Sequence, residues 1–264
     1  MTIAVFDSGL GGLSVLSEAR RALPRENFLY YADTRHVPYG TKPKEQVRGF
    51  ILDAVHSIMR ERGRVRALVI ACNTATSIAA NELRAAYDIP IVGMEPAVKP
   101  AVEMNRASGR RVLVVATPLT LQESKYHDLV RKVDDMAIVD SLPLPELVGY
   151  CEKLLFDGEE IEAYFRRKLA DFPLSEYGTI VLGCTHFPFY RSVLRRLLPA
   201  HMSIVDGGAG TVKRLRTVLG ADAEPVGKGE SSIRFVSSGG DADYERKMTA
   251  ALRYFDEMSR QTLP

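Results

Sequence analysis

A chain of 264 residues, 46% hydrophobic and 26% charged, has the composition of a globular protein and enough length for one or two domains with sizeable cores. Its 35 basic and 33 acidic side chains leave a net charge of +2, which gives no electrostatic ground for binding nucleic acid or an anionic membrane. No run approaches the ~18 apolar residues of a membrane span, and three widely spaced cysteines make neither a disulfide framework nor a zinc pattern. Free thiols in a reducing cytoplasm are expected. The chain opens directly on Thr2-Ile-Ala-Val-Phe-Asp7, with no basic lead or small-residue cleavage site, so no signal peptide is expected. The basic cluster at 60–66 reads as a solvated helix end and loop.

The predicted strands fall at 2–6, 27–31, 66–71, 90–93, 111–116, 136–140, 178–182, 203–205 and 232–236. Helix-period patterns lie between them, among them 43–61, 74–86, 120–132, 158–170, 187–197 and 241–259. Runs such as Arg111-Val-Leu-Val-Val-Ala116 are apolar at nearly every position, as strands covered on both faces are. Alternating strand and helix predicts an α/β fold with mostly parallel sheets flanked by helices. A weak internal duplication is visible: Asp7 at one strand end precedes Cys72 by 65 residues, and Thr117 at another precedes Cys184 by 67. It predicts two pseudo-symmetric domains, residues 1–97 with 208–264, and residues 98–207. The chain would cross between them near Glu95-Pro96 and Asp206-Gly207-Gly208, leaving a site in the cleft at the strand ends.

Chemistry gathers at those strand ends. The loop Asp7-Ser8-Gly9-Leu10-Gly11-Gly12-Leu13 lets backbone approach a ligand closely and opens a helix, whose N-terminal N–H groups suit an anion. It lacks the Gly-Lys-Ser/Thr ending of a phosphate loop and the GxGxxG of a dinucleotide site, so a small carboxylate fits better than a nucleotide; a plain tight turn is the other reading. Pro38-Tyr39-Gly40 lies in a polar loop that could close over a ligand with its backbone N–H groups, or form an ordinary turn. In Cys72-Asn73-Thr74 a thiol ends a strand where the next helix begins, a setting that favours thiolate, and Asn73 and Thr74 supply donors for a carboxylate. Cys184-Thr185-His186 repeats the arrangement with a histidine able to relay a proton or stabilise the thiolate. Cys151 reads as packing inside a helical stretch, and its neighbour Glu152 either faces solvent or enters the crevice.

At these residues the sequence strongly resembles the glutamate racemases, cofactor-independent enzymes that supply D-glutamate for bacterial peptidoglycan. The resemblance is carried by Asp7-Ser8-Gly-Leu-Gly-Gly-Leu13, Pro38-Tyr39-Gly40, Cys72-Asn73-Thr74-Ala75, Ala116-Thr117-Pro-Leu-Thr120 and Gly183-Cys184-Thr185-His186, in the family's order. It implies two pseudo-symmetric α/β domains with the site between them, Cys72 and Cys184 as paired acid and base, and Asp7 and His186 tuning them. It implies substrate contacts from Asp7, Ser8, Pro38, Tyr39, Gly40, Asn73, Thr74, Thr117, Thr120, Thr185 and His186. Glu152 matches the glutamate closing a family pattern in which a second proline is replaced here by Gly149. A homodimer in the cytoplasm, with glutamate as its small-molecule partner, no pyridoxal phosphate and no metal, is the further implication.

The expected reaction is inversion at the α-carbon: one cysteine as thiolate takes the α-proton, and the other as thiol protonates the opposite face. By resemblance Cys72 acts on D-glutamate and Cys184 on L-glutamate. Aspartate or hydantoin racemisation within the same superfamily, a non-catalytic amino-acid-binding module, and a thiol redox pair are the alternatives; the absence of CxxC disfavours the last.

Overall fold

The structure, a computed structural model, describes residues 1–60, 65–220 and 231–262. The basic cluster at 60–66 therefore lies partly outside the described residues. In chain order the elements are β1 (Thr2–Asp7), α1 (Leu13–Ala22), β2 (Phe28–Ala32), α2 (Lys44–Arg60), β3 (Val65–Ile70), α3 (Asn73–Ala86), β4 (Ile91–Gly93), α4 (Val98–Asn105) and β5 (Arg111–Ala116). They continue as α5 (Pro118–Gln122), α6 (Ser124–Val133), β6 (Val139–Pro143), α7 (Glu146–Glu152), α8 (Glu159–Leu169), β7 (Tyr177–Leu182) and α9 (Arg191–Leu197). The last are β8 (Ser203–Asp206), α10 (Gly208–Leu219), β9 (Ile233–Ser237) and α11 (Ala242–Thr262).

The strands form two sheets, β4-β3-β1-β2-β9 and β6-β5-β7-β8, and every pairing in both is parallel. Reversing the second order gives β8-β7-β5-β6, the same path as β4-β3-β1-β2. The likeness extends to detail: β1 slips register against β3 between Thr2 and Ile3, and β5 slips against β7 between Arg111 and Val112. Aligned on these pairings, Ser8 corresponds to Thr117 and Cys72 to Cys184. The first sheet alone carries a further strand, β9, on the outer side of β2.

Apolar residues at every position of the central strands are explained by burial on both faces. In β1, Ile3 and Val5 enter one core while Ala4 and Phe6 enter another, against α2 and α3. In β5, Leu113 and Val115 join the same core as Ile3 and Val5, while Val112 and Val114 pack with Val98, Val102 and Tyr126. The core that holds Ile3 and Val5 thus also holds Ile180 and Leu182 of β7, so the two sheets share apolar packing.

Most predicted strand ends agree within one residue, with one exception. The strand expected at 136–140 begins at Val139, because Ala137 takes a positive φ of 52° and the Asp134 carboxylate accepts from Ile138 N and Val139 N, making a turn of 134–138. The helix expected at 120–132 is divided into α5 and α6. Glu123 between them is extended (φ −69°, ψ 137°), and its carboxylate is buried against Lys44 Nζ at 2.7 Å. The helix expected at 187–197 starts as a 3₁₀ turn, Phe187–Tyr190, with Pro188 in its first positions, before α9.

Candidate active site

Both cysteines stand at the C-terminal ends of equivalent strands, β3 and β7, and both are buried but for 6% of their surface. Cys72 is the N-cap of α3: its backbone is extended (φ −70°, ψ 121°) and its Sγ accepts from Ala75 N at 3.5 Å, a role usually taken by a hydroxyl or carboxylate. The Ser8 hydroxyl lies 4.0 Å from the same sulfur. Cys184 Sγ lies 3.7 Å from His186 Nδ1.

The Asp7-Ser8 step reaches both thiol segments. Asp7, fully buried, accepts from Gly9 N at 2.9 Å and from the Thr185 hydroxyl at 3.0 Å. Ser14, in the first turn of α1, donates to the Thr185 carbonyl at 3.2 Å. Glycine is needed here for space: a Cβ on Gly11 would sit 2.4 Å from His186 Nδ1 and 2.5 Å from Thr185 Oγ1.

A second meeting of the halves is built from hydroxyls. Thr74, at the start of α3, lies 3.1 Å from Thr117 Oγ1 and 2.9 Å from Thr120 Oγ1, and the latter two are 2.9 Å apart. Thr117 caps α5 through Thr120 N. Gly40 fits against this cluster: its carbonyl accepts from Leu119 N at 3.0 Å, and a Cβ there would meet Thr117 at 2.3 Å. Pro38 precedes it, with its carbonyl accepting from Lys42 Nζ at 2.8 Å. Tyr39 is turned inward, its phenol donating to Asp33 Oδ2 at 2.5 Å, so its side chain anchors the loop.

Asn73, expected as a donor for a carboxylate, gives one of its two Nδ2 hydrogens to the Met94 carbonyl at 3.3 Å and keeps the other. The remaining atom is Oδ1, an acceptor, buried and without a hydrogen-bond partner. A carbonyl neighbour demands the amide's donor, so Oδ1 is left to receive an N–H, as an ammonium group would offer.

Glu152 enters the network. Its Oε1 lies 2.7 Å from His186 Nε2 and accepts from Leu10 N at 2.8 Å. The glycine that replaces proline leaves this placement intact: α7 runs helical through Gly149, and space beside Gly149 is open. Cys151, on the neighbouring position, is buried in the apolar core as expected. The sequence reading missed Asp33, Tyr30 and Tyr244. Tyr30 donates to the Gly9 carbonyl at 2.6 Å, behind the glycine loop. Its aromatic place in a strand reads as core packing, and nothing local marks its hydroxyl as engaged.

Burial pushes the Cys72 thiol well up, the charges of Asp7 and Cys184 add to this, and the Ala75 N–H and Ser8 hydroxyl oppose it. Cys72 is therefore held as a thiol. Burial acts to lower His186, yet its hydrogen bonds and charge interactions with Cys184 and Glu152 outweigh that and raise it well above the ordinary histidine value. Burial also raises Asp7, opposed by the His186 charge, Gly9 N–H and Thr185 hydroxyl. Among the described residues, no group of three or more His, Cys, Asp or Glu is arranged to hold a metal ion, and no helix is long and apolar enough to cross a membrane.

Comparison with known proteins places this arrangement. The sequence profile of the Asp/Glu/hydantoin racemases matches residues 11–215. A glutamate racemase of Halothermothrix orenii is 52% identical over 240 residues, covering 90% of this chain and 93% of that protein. The crystal structure of Escherichia coli glutamate racemase, in complex with L-glutamate and the activator UDP-MurNAc-Ala, superposes with a TM-score of 0.84 at 30% identity, covering 96% of each chain. That of Francisella tularensis glutamate racemase with D-glutamate gives 0.81 at 25% identity, covering 96% of this chain and 93% of that one. With its profile, its sequence and its paired parallel sheets in agreement, the chain belongs to the Asp/Glu/hydantoin racemase family and is an amino-acid racemase.

Proposed function

We propose that this chain interconverts L- and D-glutamate by a two-thiol, two-base transfer at the α-carbon. The observation that carries the mechanism is the placing of Cys72 and Cys184 at equivalent strand ends, bridged by Asp7-Ser8 and near enough for the charge of one to bear on the other. Likeness to glutamate racemases across the chain supports glutamate as substrate. In the L-to-D direction Cys184, as thiolate beside the His186 imidazolium, takes the α-proton and becomes a thiol. The electron pair passes into the α-carboxylate as an enediolate, which hydroxyl and backbone donors stabilise. Cys72 gives its proton to the opposite face and becomes the thiolate; the reverse direction exchanges the two roles. Asn73 Oδ1 receives the substrate ammonium, and the donors for its carboxylates come from the Ser8, Thr74, Thr117 and Thr120 hydroxyls, the Thr185 backbone N–H and the Tyr39-Gly40 backbone.

We assign residues 1–97 with 208–264 to one domain and 98–207 to the other, consistent with β9 joining the first sheet and α10 packing on α1. We further infer a cytoplasmic homodimer whose product, D-glutamate, serves peptidoglycan.

Circular dichroism of L-glutamate incubated with the pure protein, without added cofactor, tests the activity: the signal should decay to zero. Cys72→Ala and Cys184→Ala should each lose about 10²–10⁴-fold in both directions, the range for a removed general acid or base. Racemisation at wild-type rates by either variant would overturn the two-base scheme. Faster exchange of α-deuterium in aspartate than in glutamate would reassign the substrate. Light scattering reads the dimer, and a D-glutamate requirement on deletion of the gene reads the pathway.

A further inference from the structure

The Glu152 carboxylate is held by donors from separate parts of the chain. Oε1 faces Leu10 N in the glycine loop and His186 Nε2, and Oε2 accepts from the Tyr244 phenol at 2.5 Å. Tyr244 stands in the first turn of α11, beyond the residues 11–215 that the family profile matches. Its ring packs on the edge of the shared core. Burial and the nearby Glu152 push its phenol far above the ordinary tyrosine value, so it remains a donor. The other phenol near the loop, Tyr30, is committed to the Gly9 carbonyl.

We propose that Tyr244 is a positioning residue for racemisation, fixing the Glu152 carboxylate so that His186 is held with Nδ1 toward Cys184. The proposal rests on the two-thiol reading above. A carboxylate anchored only through Oε1 can turn about its terminal torsion, and the His186 ring turns with it. The C-terminal helix thereby acts on the chemistry as well as on packing, through a chain Tyr244–Glu152–His186–Cys184.

The test is Tyr244→Phe, which keeps the ring and removes one hydroxyl, so packing is retained. Thermal unfolding should stay close to wild type, while kcat falls roughly 10-fold with KM little changed, the size of a lost hydrogen bond to a charged group. Only transfer at Cys184 slows, so the primary α-deuterium effect on kcat/KM rises for L-glutamate and falls for D-glutamate. A general loosening of the fold would leave the balance between the two isotope effects unmoved. In a cycle with Glu152→Gln the two losses should not add, since Tyr244 acts through Glu152. Wild-type kinetics in Tyr244→Phe, unmoved isotope effects, or full additivity with Glu152→Gln would overturn the assignment. Failure of the wild-type protein to racemise glutamate would instead remove the reading beneath it.

Discussion

Single atoms decide the site at the finest scale. Gly11 has no side chain because His186 Nδ1 and Thr185 Oγ1 occupy the space where one would go. Gly11→Ala must therefore push both aside, and the His186 contact with Cys184 goes with them. We expect a loss of at least 10-fold in kcat with about 1–3 kcal/mol of destabilisation, the cost of overpacking a filled site, read from steady-state rates and urea unfolding. At Asn73 the direction of one amide sets what the pocket can recognise: with Nδ2 turned to the Met94 carbonyl, the unpartnered Oδ1 is placed to accept a hydrogen bond. Glu152 shows the complementary case, a carboxylate on which a backbone N–H, an imidazole and a phenol converge.

Among the elements, α3 carries a conflict between stability and chemistry. A thiol is a poor N-cap, and Cys72 holds Ala75 N only at 3.5 Å. Serine caps better, since a hydroxyl oxygen is the stronger acceptor. Cys72→Ser should leave the melting temperature unchanged or raise it by a degree or two, while racemisation falls about 10²–10⁴-fold. Calorimetry and the circular-dichroism assay on one preparation check both halves. A marked fall in melting temperature would mean that the sulfur contributes packing that the cap model omits. The break between α5 and α6 is of the same kind: Glu123 interrupts an otherwise helical pattern to reach Lys44, and the short α5 leaves Thr117 and Thr120 facing Thr74.

For the whole molecule, the buried site makes stability depend on pH. His186 holds its proton more tightly in the fold than in the unfolded chain, where its value is near 6.5. That contribution is fully present below pH 6.5 and is lost as pH rises through the higher folded value. Asp7 is raised too, so its contribution also declines with rising pH, from the acid side. The unfolding free energy should therefore fall above pH 6.5, at up to about 1.4 kcal/mol per pH unit for one proton. His186→Gln should reduce that slope, leaving the fall that Glu18, raised to about 7 by burial and the Asp206 charge, contributes around neutrality; denaturant titrations at several pH values measure both. A slope unchanged in the variant would place the proton elsewhere.

Local pattern alone was enough to place the alternating elements, the strands buried on both faces, and the pair of cysteines at strand ends. Those features are local: β-branched runs and helical periods declare themselves within a dozen residues, and thiols followed by polar helix starts are readable where they stand. What pairs with what was set by packing between distant segments. The equal register slips of β1 and β5 set Cys72 opposite Cys184 in the fold's internal likeness, across more than a hundred residues of chain. Asn73's acceptor, Asp33's hold on Tyr39, and the junction of Glu152 with Leu10, His186 and Tyr244 depend on contacts between distant segments. Glu152 alone is an acidic residue on a helix, and Tyr244 an aromatic one near the end of the chain. Folding half-buries both and brings donor to acceptor, and no local pattern records that event.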